Sequence, residues 1–263
     1  MEPSAISFIG GGNMGSALIG GLIKSGWSPS LITVVELSAD RRAELRLMFP
    51  GTIVSESLPR CESAVISVKP PVAAEACRTA SASGARRVLS IAAGISIDAL
   101  RRACGNSVAV IRAMPNTPAL VGQGAAAISF SGDCTEHDIS WAETVLGSVG
   151  TVVRVAEVHM DVVTAISGSG PAYVFLLAES LIAEAVKQGL SPEAADGLVR
   201  QLLVGSAALL SATSESPAVL RERVTSPKGV TAAAIEALEN AGFREAIATA
   251  VAAAVDRSRE LGA

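Results

Sequence analysis

Short apolar runs rich in β-branched residues alternate with helix-like stretches through the first half of the chain. Strands are predicted at 6–9, 31–35, 52–54, 64–68, 88–91, 108–112, 125–129 and 152–155. Helices are predicted between them at 14–24, 41–48, 72–80 and 97–103, and another opens near Thr135. Since alternating strands and helices build right-handed βαβ units, the pattern predicts an α/β domain with a parallel sheet over residues 1–156.

The hydrophobic period changes near Glu157, and no strand-like run follows. Helices are predicted at 173–186, from Ser191 to about 211, at 231–240 and at 244–261. The sequence Ser191-Pro192-Glu193 is typical of a helix start, with serine at the N-cap, proline at the first helical position and an acid in the first turn. Residues 157–263 are therefore predicted to form an all-α domain.

The predicted helix over 173–186 is apolar on almost every side, and only Glu179 and Glu184 interrupt it. Such a helix needs burial all round. Two interpretations stay open: it is the core helix of the small domain, or a second subunit covers part of it. The small side chains of residues 205–208 permit close helix approach and favour the second subunit.

Composition narrows the class of protein. Of 263 residues, 49% are hydrophobic and 17% charged, so we expect an aliphatic core rather than a disordered chain. The net charge is −4 and there is no basic tract, which argues against nucleic-acid binding. The first ten residues lack a signal-peptide pattern, and no run reaches the roughly 18 apolar residues of a membrane helix. A cytoplasmic protein is therefore expected.

Metal-ligand spacing is missing from the sequence. The cysteines Cys61, Cys77, Cys104 and Cys134 lie far apart and form no CxxC pair. His137 and His159 belong to no HxxxH or HExxH pattern. We expect neither a bound metal nor a disulfide.

Residues 6–15 read ISFIGGGNMG, a strand followed by GxGxxG at the start of a helix. Gly10 allows the tight turn, Gly12 lets the backbone approach a pyrophosphate, and Gly15 lets the helix pack closely on the strand. The free amides of the helix start can donate to phosphate oxygens. This context predicts a dinucleotide site of the Rossmann type.

The preferred dinucleotide stays open at this point. Glu36, at the end of the second strand, is placed to accept a hydrogen bond from a ribose 2′-hydroxyl, which favours NAD. Arg41 and Arg42 follow closely and could bind a 2′-phosphate, which favours NADP. A solvated first helical turn is an equally good interpretation of the two arginines.

Four further segments go beyond a generic Rossmann domain: SVKP at 67–70, RAMPNTP at 112–118, AISGSGPAY at 165–173 and VTSPKGVT at 224–231. Together with the glycine motif, this set resembles the pyrroline-5-carboxylate reductase family over essentially the whole chain. The resemblance implies an N-terminal Rossmann domain at 1–156 and a helical dimerisation and substrate-binding domain at 157–263. It also implies NAD(P)H-dependent reduction of 1-pyrroline-5-carboxylate to L-proline, the last step of proline biosynthesis.

The resemblance further implies a homodimer, which in that family often assembles into a decamer, and NADPH as the usual cofactor, with NADH as the alternative. The cofactor residues implied are Gly10, Gly11, Gly12, Asn13, Met14, Gly15, Glu36, Arg41, Val68, Lys69, Pro70, Ala92, Ala93 and Asn116. The substrate residues implied are Ser167, Gly168, Ser169, Gly170, Ser226, Lys228, Gly229, Val230 and Thr231. Thr231 is the catalytic candidate, as the side chain that hydrogen-bonds the ring nitrogen or a water beside it.

The loop over 226–231 also has its own physical interpretation. If Ser226 is an N-cap and Pro227 the first helical residue, the amides of residues 228–230 are free to bind a carboxylate. The alternative is an ordinary helix cap. The family commonly shows TSPGGTT here, whereas this chain has Lys228 and Val230 in place of a glycine and a threonine.

Proteins of other functions share this two-domain plan. A β-hydroxyacid dehydrogenase of similar plan carries a lysine early on its first long interdomain helix, but here no lysine follows Gly170 until Lys187. A reductase of a related cyclic imine stays open, and so does a non-catalytic NAD(P)-binding regulator derived from this family. Lys228 and Val230 are the features that keep the regulator open.

Overall fold

The structure, a computed structural model, describes residues 4–262. Contacts divide these residues into a sheet unit, formed by 4–169 together with 254–262, and a helical unit, formed by 170–253. Residues 157–169 group with the sheet unit in this division. The domain boundary predicted at 156/157 stays a prediction.

Eight strands form one sheet in the sheet unit. They are β1 (Ile6–Ile9), β2 (Ile32–Val35), β3 (Ile53–Ser55), β4 (Ser63–Ile66), β5 (Arg87–Ser90), β6 (Ala109–Met114), β7 (Gly124–Phe130) and β8 (Gly150–Arg154). Their order across the sheet is β3-β2-β1-β4-β5-β6-β7-β8. The first six follow the order 3-2-1-4-5-6 that is typical of dinucleotide-binding sheets, so the predicted Rossmann domain is confirmed.

The helices of the sheet unit are α1 (Asn13–Lys24), α2 (Ala39–Met48), α3 (Ala73–Ala82), α4 (Ile97–Cys104), α5 (Glu136–Gly147) and α6 (Met160–Val163). On one face of the sheet, Leu22 of α1 and Trp141 of α5 pack with Phe8. On the other face, Cys77 of α3 and Leu100 of α4 belong to a second apolar cluster. Because both faces are covered, β1, β2 and β4 are buried at every position.

The sheet is not wholly parallel, which corrects the sequence prediction. β6 and β7 pair antiparallel, with Ile111 opposite Phe130, whereas every other neighbouring pair is parallel. Only residues 115–123 connect β6 to β7, and a parallel crossover needs roughly a dozen residues or more. The short connection therefore forces the chain to turn back.

The helical unit contains α7 (Gly170–Lys187), α8 (Pro192–Ser211), α9 (Pro217–Arg223), α10 (Val230–Asn240) and the first part of α11 (Phe243–Gly262). The all-α prediction is confirmed, but α9 was missed. α9 begins with the same serine–proline pattern as the helix after Ser191. Ser216 is the N-cap, its side chain accepts a hydrogen bond from the Val219 amide, and Pro217 is the first helical residue.

α7 is not a core helix of this chain. None of its residues, all of which the structure describes, is buried, and Phe175 is 67% exposed. By length and composition alone, the helical segment Glu157–Lys187 could cross a membrane, whereas no membrane helix is predicted from the sequence. An exposed apolar surface of this kind is typical of an interaction site.

Candidate dinucleotide and substrate sites

The loop after β1 approaches the end of β4 so closely that position 10 must be glycine. Gly10 has a φ of +101°, and a Cβ there would lie 2.5 Å from the Ser67 carbonyl oxygen. The Ser67 hydroxyl in turn donates to the Gly10 carbonyl oxygen at 2.6 Å. Backbone conformation and close approach thus both exclude a side chain at Gly10.

The other two motif glycines differ in what they face. A Cβ at Gly15 would lie 2.8 Å from the Gly10 carbonyl oxygen, so this glycine lets α1 pack against the loop. No described atom lies within 4 Å of a Cβ at Gly12. Gly12 is the N-cap of α1, and no described side chain caps this helix start. Asn13, Met14 and Gly15 therefore open α1 with amides that are free to bind an anion beside open space.

Glu36 follows β2 and reaches the glycine loop. One carboxylate oxygen accepts from the Gly11 amide at 3.1 Å, and the other accepts from the Ser38 amide at 3.1 Å. The carboxylate therefore lies where the sequence analysis expects the adenosine ribose, with lone pairs left for a hydroxyl donor.

The two arginines after β2 are both tied to the protein. Arg41 donates from Nε to the Gly11 carbonyl oxygen at 2.9 Å and from Nη2 to the Ser16 hydroxyl at 2.8 Å. Arg42 donates from Nη1 to the carbonyl oxygens of Glu36 and Leu37, both at 2.8 Å. Neither is the freely solvated side chain of the alternative interpretation, because each one fixes backbone beside Glu36.

The predicted cofactor residues after β4 and β5 come to the same edge of the sheet as the glycine loop, because β1, β4 and β5 are parallel neighbours. Val68 lies beside Gly10, because a Cβ added at Gly10 would be only 3.0 Å from the Val68 Cγ1. Lys69 and Pro70 open an exposed 3₁₀ turn. After β5, Ala92 is buried and Ala93 is exposed. The structure thus brings these residues together, and their contact with a cofactor stays a prediction.

Asn116 joins two of the family-like segments. Its Nδ2 donates to the Ser167 carbonyl oxygen at 3.0 Å, and its Oδ1 accepts from the Ala125 amide at 2.8 Å. In an uninterrupted helix, the Ser167 carbonyl would accept from the amide of residue 171. Pro171 has no N–H to donate. The Asn116 amide thus supplies the hydrogen bond that the proline cannot make.

Helical structure also precedes α7, and Ser169 alone separates the turn over 164–168 from the start of α7 at Gly170. Thr164–Gly168 forms a π-helical turn, closed by the Ser169 amide donating to the Thr164 carbonyl oxygen at 2.8 Å. A Cβ at Gly168 would lie 2.5 Å from the Met114 Cε. A widened turn ahead of Pro171 accommodates the proline, and such turns are frequent at functional sites.

In the helical unit, α10 begins within one residue of the helix predicted over 231–240, and the alternative start at Ser226 is wrong. The Gly229 amide donates to the Ser226 carbonyl oxygen at 3.0 Å, and α10 begins at Val230 with Gly229 as its N-cap. Ser226 and Pro227 therefore belong to a turn and not to the helix. The free amides at this helix start are those of Val230, Thr231 and Ala232 rather than those of residues 228–230.

The backbone conformation at Lys228 explains why glycine is common at this position in the family. Its φ is +61°, and it is the one non-glycine residue with positive φ among those described. A proline followed by a residue of positive φ, closed by the 226–229 hydrogen bond, is the pattern of a type II turn, whose third position favours glycine. The same conformation excludes residue 228 from a right-handed helix. The side chain of Lys228 is exposed.

The four cysteines are free, and Cys61, Cys77 and Cys104 are buried. Burial raises the pKa of Cys61 and of Cys134. The hydrogen bond between Cys77 and Cys104 raises the pKa of Cys77 and lowers the pKa of Cys104. Among residues 4–262, no three His, Cys, Asp or Glu side chains converge as a metal site would require. The expectation of no metal stays a prediction.

The fold and the glycine loop define a Rossmann dinucleotide-binding protein that carries a helical unit. Sequence comparison refines this class. The family described as "NADP oxidoreductase coenzyme F420-dependent" matches residues 5–94, and the family described as "Pyrroline-5-carboxylate reductase dimerisation" matches residues 157–261.

Relatives that align over the whole chain also indicate the pyrroline-5-carboxylate reductase family. A pyrroline-5-carboxylate reductase of Synechocystis sp. is 40% identical over 263 residues, and the alignment covers 98% of each chain. The solved structure of a Coxiella burnetii pyrroline-5-carboxylate reductase has a TM-score of 0.94, with 34% identity and full coverage of both chains. A Plasmodium falciparum pyrroline carboxylate reductase solved with NADP bound has a TM-score of 0.87, with 31% identity and full coverage of both chains. The chain belongs to the pyrroline-5-carboxylate reductase family.

Two glycine substitutions separate folding from cofactor binding. Gly12→Val should keep the free energy of unfolding, because open space receives the side chain, but should weaken dinucleotide binding at least about tenfold. Gly10→Ala should instead lower the free energy of unfolding by about 1–3 kcal/mol through its positive φ and the contact with Ser67. Calorimetric titration with NADPH and NADH, paired with denaturant unfolding, checks both. Full affinity in folded Gly12→Val would contradict the site.

Proposed function

We propose that this protein reduces 1-pyrroline-5-carboxylate to L-proline, the last step of proline biosynthesis, with a nicotinamide dinucleotide as the hydride donor. The observation that carries the proposal is similarity to pyrroline-5-carboxylate reductases along the whole chain. The open cradle at Gly12 provides the anion site that the dinucleotide needs.

The bound dinucleotide supplies a hydride to the carbon of the substrate C=N bond. A protonated imine is already a good electrophile, so the protein needs positioning groups more than a strong general acid. The hydroxyl of Thr231 is the group we assign beside the ring nitrogen, directly or through a water. The substrate residues are the set named from the family resemblance, Ser167 to Gly170 together with Ser226 and Lys228 to Thr231.

The start of α10 suits the substrate carboxylate. The amides of Val230, Thr231 and Ala232 have no intrahelical acceptor. A Cβ at Gly229 would lie 2.4 Å from the Ser226 hydroxyl and 3.0 Å from the Ser226 carbonyl oxygen, so a side chain there would displace that hydroxyl and crowd the turn that presents these amides. We therefore place the carboxylate on the amides of residues 230–232, with Lys228 adding positive charge nearby.

For the cofactor, we propose use of both dinucleotides with NADPH preferred. The cofactor residues are those named from the family resemblance, from the glycine loop to Asn116. Arg41 and Arg42 flank Glu36 and provide positive charge for a 2′-phosphate, while the Glu36 carboxylate suits the 2′-hydroxyl of NADH. The arginines thus favour NADPH, and the Glu36 carboxylate favours NADH.

Self-association follows from the match to the dimerisation family and from the exposed apolar face of α7. An apolar groove of about 890 Å³ runs between α7 and α8, lined in part by Phe175, Ile182 and Val204. We propose that a second copy of the chain fills this groove to form a homodimer, which further assembles into a decamer. In this account the apolar segment over 157–187 faces a partner and not a membrane, and the enzyme is cytoplasmic and independent of nucleic acid.

The direct test is oxidation of NADPH that depends on 1-pyrroline-5-carboxylate, followed by absorbance, with L-proline identified as product. We expect turnover by the wild type. Thr231→Ala should lower kcat/KM about tenfold, which corresponds to the loss of one hydrogen bond, and should leave the Kd for NADPH unchanged.

Thr231→Ser is the matched control, since it keeps the hydroxyl and should retain most of the activity. Full activity of Thr231→Ala would remove this residue from the mechanism. Tight dinucleotide binding without any turnover would identify the protein as a non-catalytic regulator.

Cofactor choice is tested at Glu36. Glu36→Gln removes the negative charge but keeps an acceptor for the Gly11 amide, so the KM for NADPH should fall and the KM for NADH should rise, each by several-fold. Steady-state kinetics with the two cofactors measures this. Parallel changes in the two KM values would show that Glu36 supports the loop without reading the ribose.

The dimer is tested on α7. Phe175→Glu places a charge in the proposed interface and should convert the dimer into a monomer in light scattering. Lys187→Glu changes charge in the last turn of the same helix, at a side chain that is 75% exposed, and should leave the dimer intact. A wild-type monomer at assay concentration would refute the proposal.

A further inference from the structure

The connection between β5 and α4, residues 91–96, lies at the edge of the sheet that we assign to the dinucleotide. In the order β2-β1-β4-β5, Glu36 follows β2 and the glycine loop follows β1. A dinucleotide with its ribose at Glu36 and its pyrophosphate at Gly12 therefore extends its nicotinamide half toward β4 and β5. Residues far along the chain contact this 91–96 loop from outside the sheet.

Glu157 holds the end of the 91–96 loop. Its Oε1 accepts from the Ile97 amide at 2.6 Å and from Arg112 Nη1 at 3.3 Å. Ile97 is the first residue of α4, and its N-cap Ser96 accepts from the Ala99 amide. The Arg112 side chain is only 9% exposed. Glu157 thus fixes the residue at which α4 begins and also pairs a buried cation.

The carboxyl-terminal turn of α11 holds the middle of the loop. A Cβ at Gly262 would lie 2.7 Å from the Gly94 carbonyl oxygen. Gly94 has a φ of +77°, and a Cβ there would lie 3.5 Å from the Leu261 carbonyl oxygen. The two backbones are therefore in close contact, and Gly262 allows it because it has no side chain.

A buried hydrogen bond fastens this turn. Ser258 is 6% exposed, and its hydroxyl donates to Asp161 Oδ1 at 2.7 Å. Asp161 lies on α6, one turn after Glu157. Residues 258–262 and Glu157 belong to the same compact sheet unit as the 91–96 loop.

We propose that Glu157 and the 258–262 turn are positioning elements for the cofactor: they hold the 91–96 loop in the conformation that receives the nicotinamide half of the dinucleotide. The inference rests on the proposed function, in which Ala92 and Ala93 contact that cofactor. Without these two contacts, the loop loses its anchors and must be ordered when the dinucleotide binds, which lowers the affinity.

The first test is hydrogen–deuterium exchange on the unliganded protein, which needs no catalytic activity. Glu157→Ala should speed exchange over residues 91–99 by about tenfold, since the Ile97 amide loses a charged acceptor. Glu157→Gln keeps an acceptor for Ile97 and should stay close to the wild type. Circular dichroism checks that each variant is folded.

The second test uses the contact with Gly94. Gly262→Val should displace the 258–262 turn and raise the Kd for NADPH several-fold in calorimetry. The Kd for 2′-phospho-ADP-ribose, which lacks the nicotinamide, should hardly change. Glu260→Ala, in the same turn but exposed and paired with Arg257, is the control and should resemble the wild type.

The outcomes separate this inference from the proposed function. Failure of the wild type to bind NADPH would defeat the proposed function itself. Normal NADPH binding by the wild type, combined with unchanged exchange over 91–99 in Glu157→Ala, would overturn the positioning role. Equal losses of affinity for NADPH and for 2′-phospho-ADP-ribose in Gly262→Val would overturn the assignment of the loop to the nicotinamide half.

Discussion

Two backbone segments, the loop after β1 and the end of β4, approach each other closely at the carboxyl edge of the sheet. The loop after β1 lies against Ser67 so tightly that neither Gly10 nor Gly15 has room for a side chain. This packing presents the start of α1 beside open space at Gly12. The protein thus uses two glycines for its own packing and leaves the third position free for a ligand.

The polar groups around this edge are satisfied from distant parts of the chain. The Asn116 side-chain amide donates to the Ser167 carbonyl oxygen, for which Pro171 has no N–H to donate. Arg41 donates to the Gly11 carbonyl oxygen. Glu157 bonds the first amide of α4. Buried backbone groups without partners are costly, so each of these side chains stabilises a loop in one conformation. The site is preorganised by hydrogen bonds as well as by the sheet.

Much of the fold followed from local pattern. The alternation of strands and helices predicted all eight strands, and the strand–GxGxxG–helix context predicted the dinucleotide loop. The reversed direction of β7 was missed because it depends on the length of one connection. The helix over 231–240 was predicted to within one residue, but the helix start considered at Ser226-Pro227 is wrong. That pair also suits a type II turn, and only the positive φ of Lys228 decides between the two.

The bridging residues could not be predicted because each contact joins positions far apart in sequence. Pro171 did carry one signal, since a proline within a helical segment leaves a carbonyl that needs another donor. No comparable local pattern pairs Ser258 with Asp161 or Gly262 with Gly94.

We propose that packing at Gly10 and Gly15 creates an anion cradle for a dinucleotide at the start of α1. A crystal structure of the protein with NADPH would test this proposal. We expect pyrophosphate oxygens within hydrogen-bonding distance of the first amides of α1, with the adenosine ribose beside Glu36. A dinucleotide bound elsewhere, or a pyrophosphate held without these amides, would contradict it.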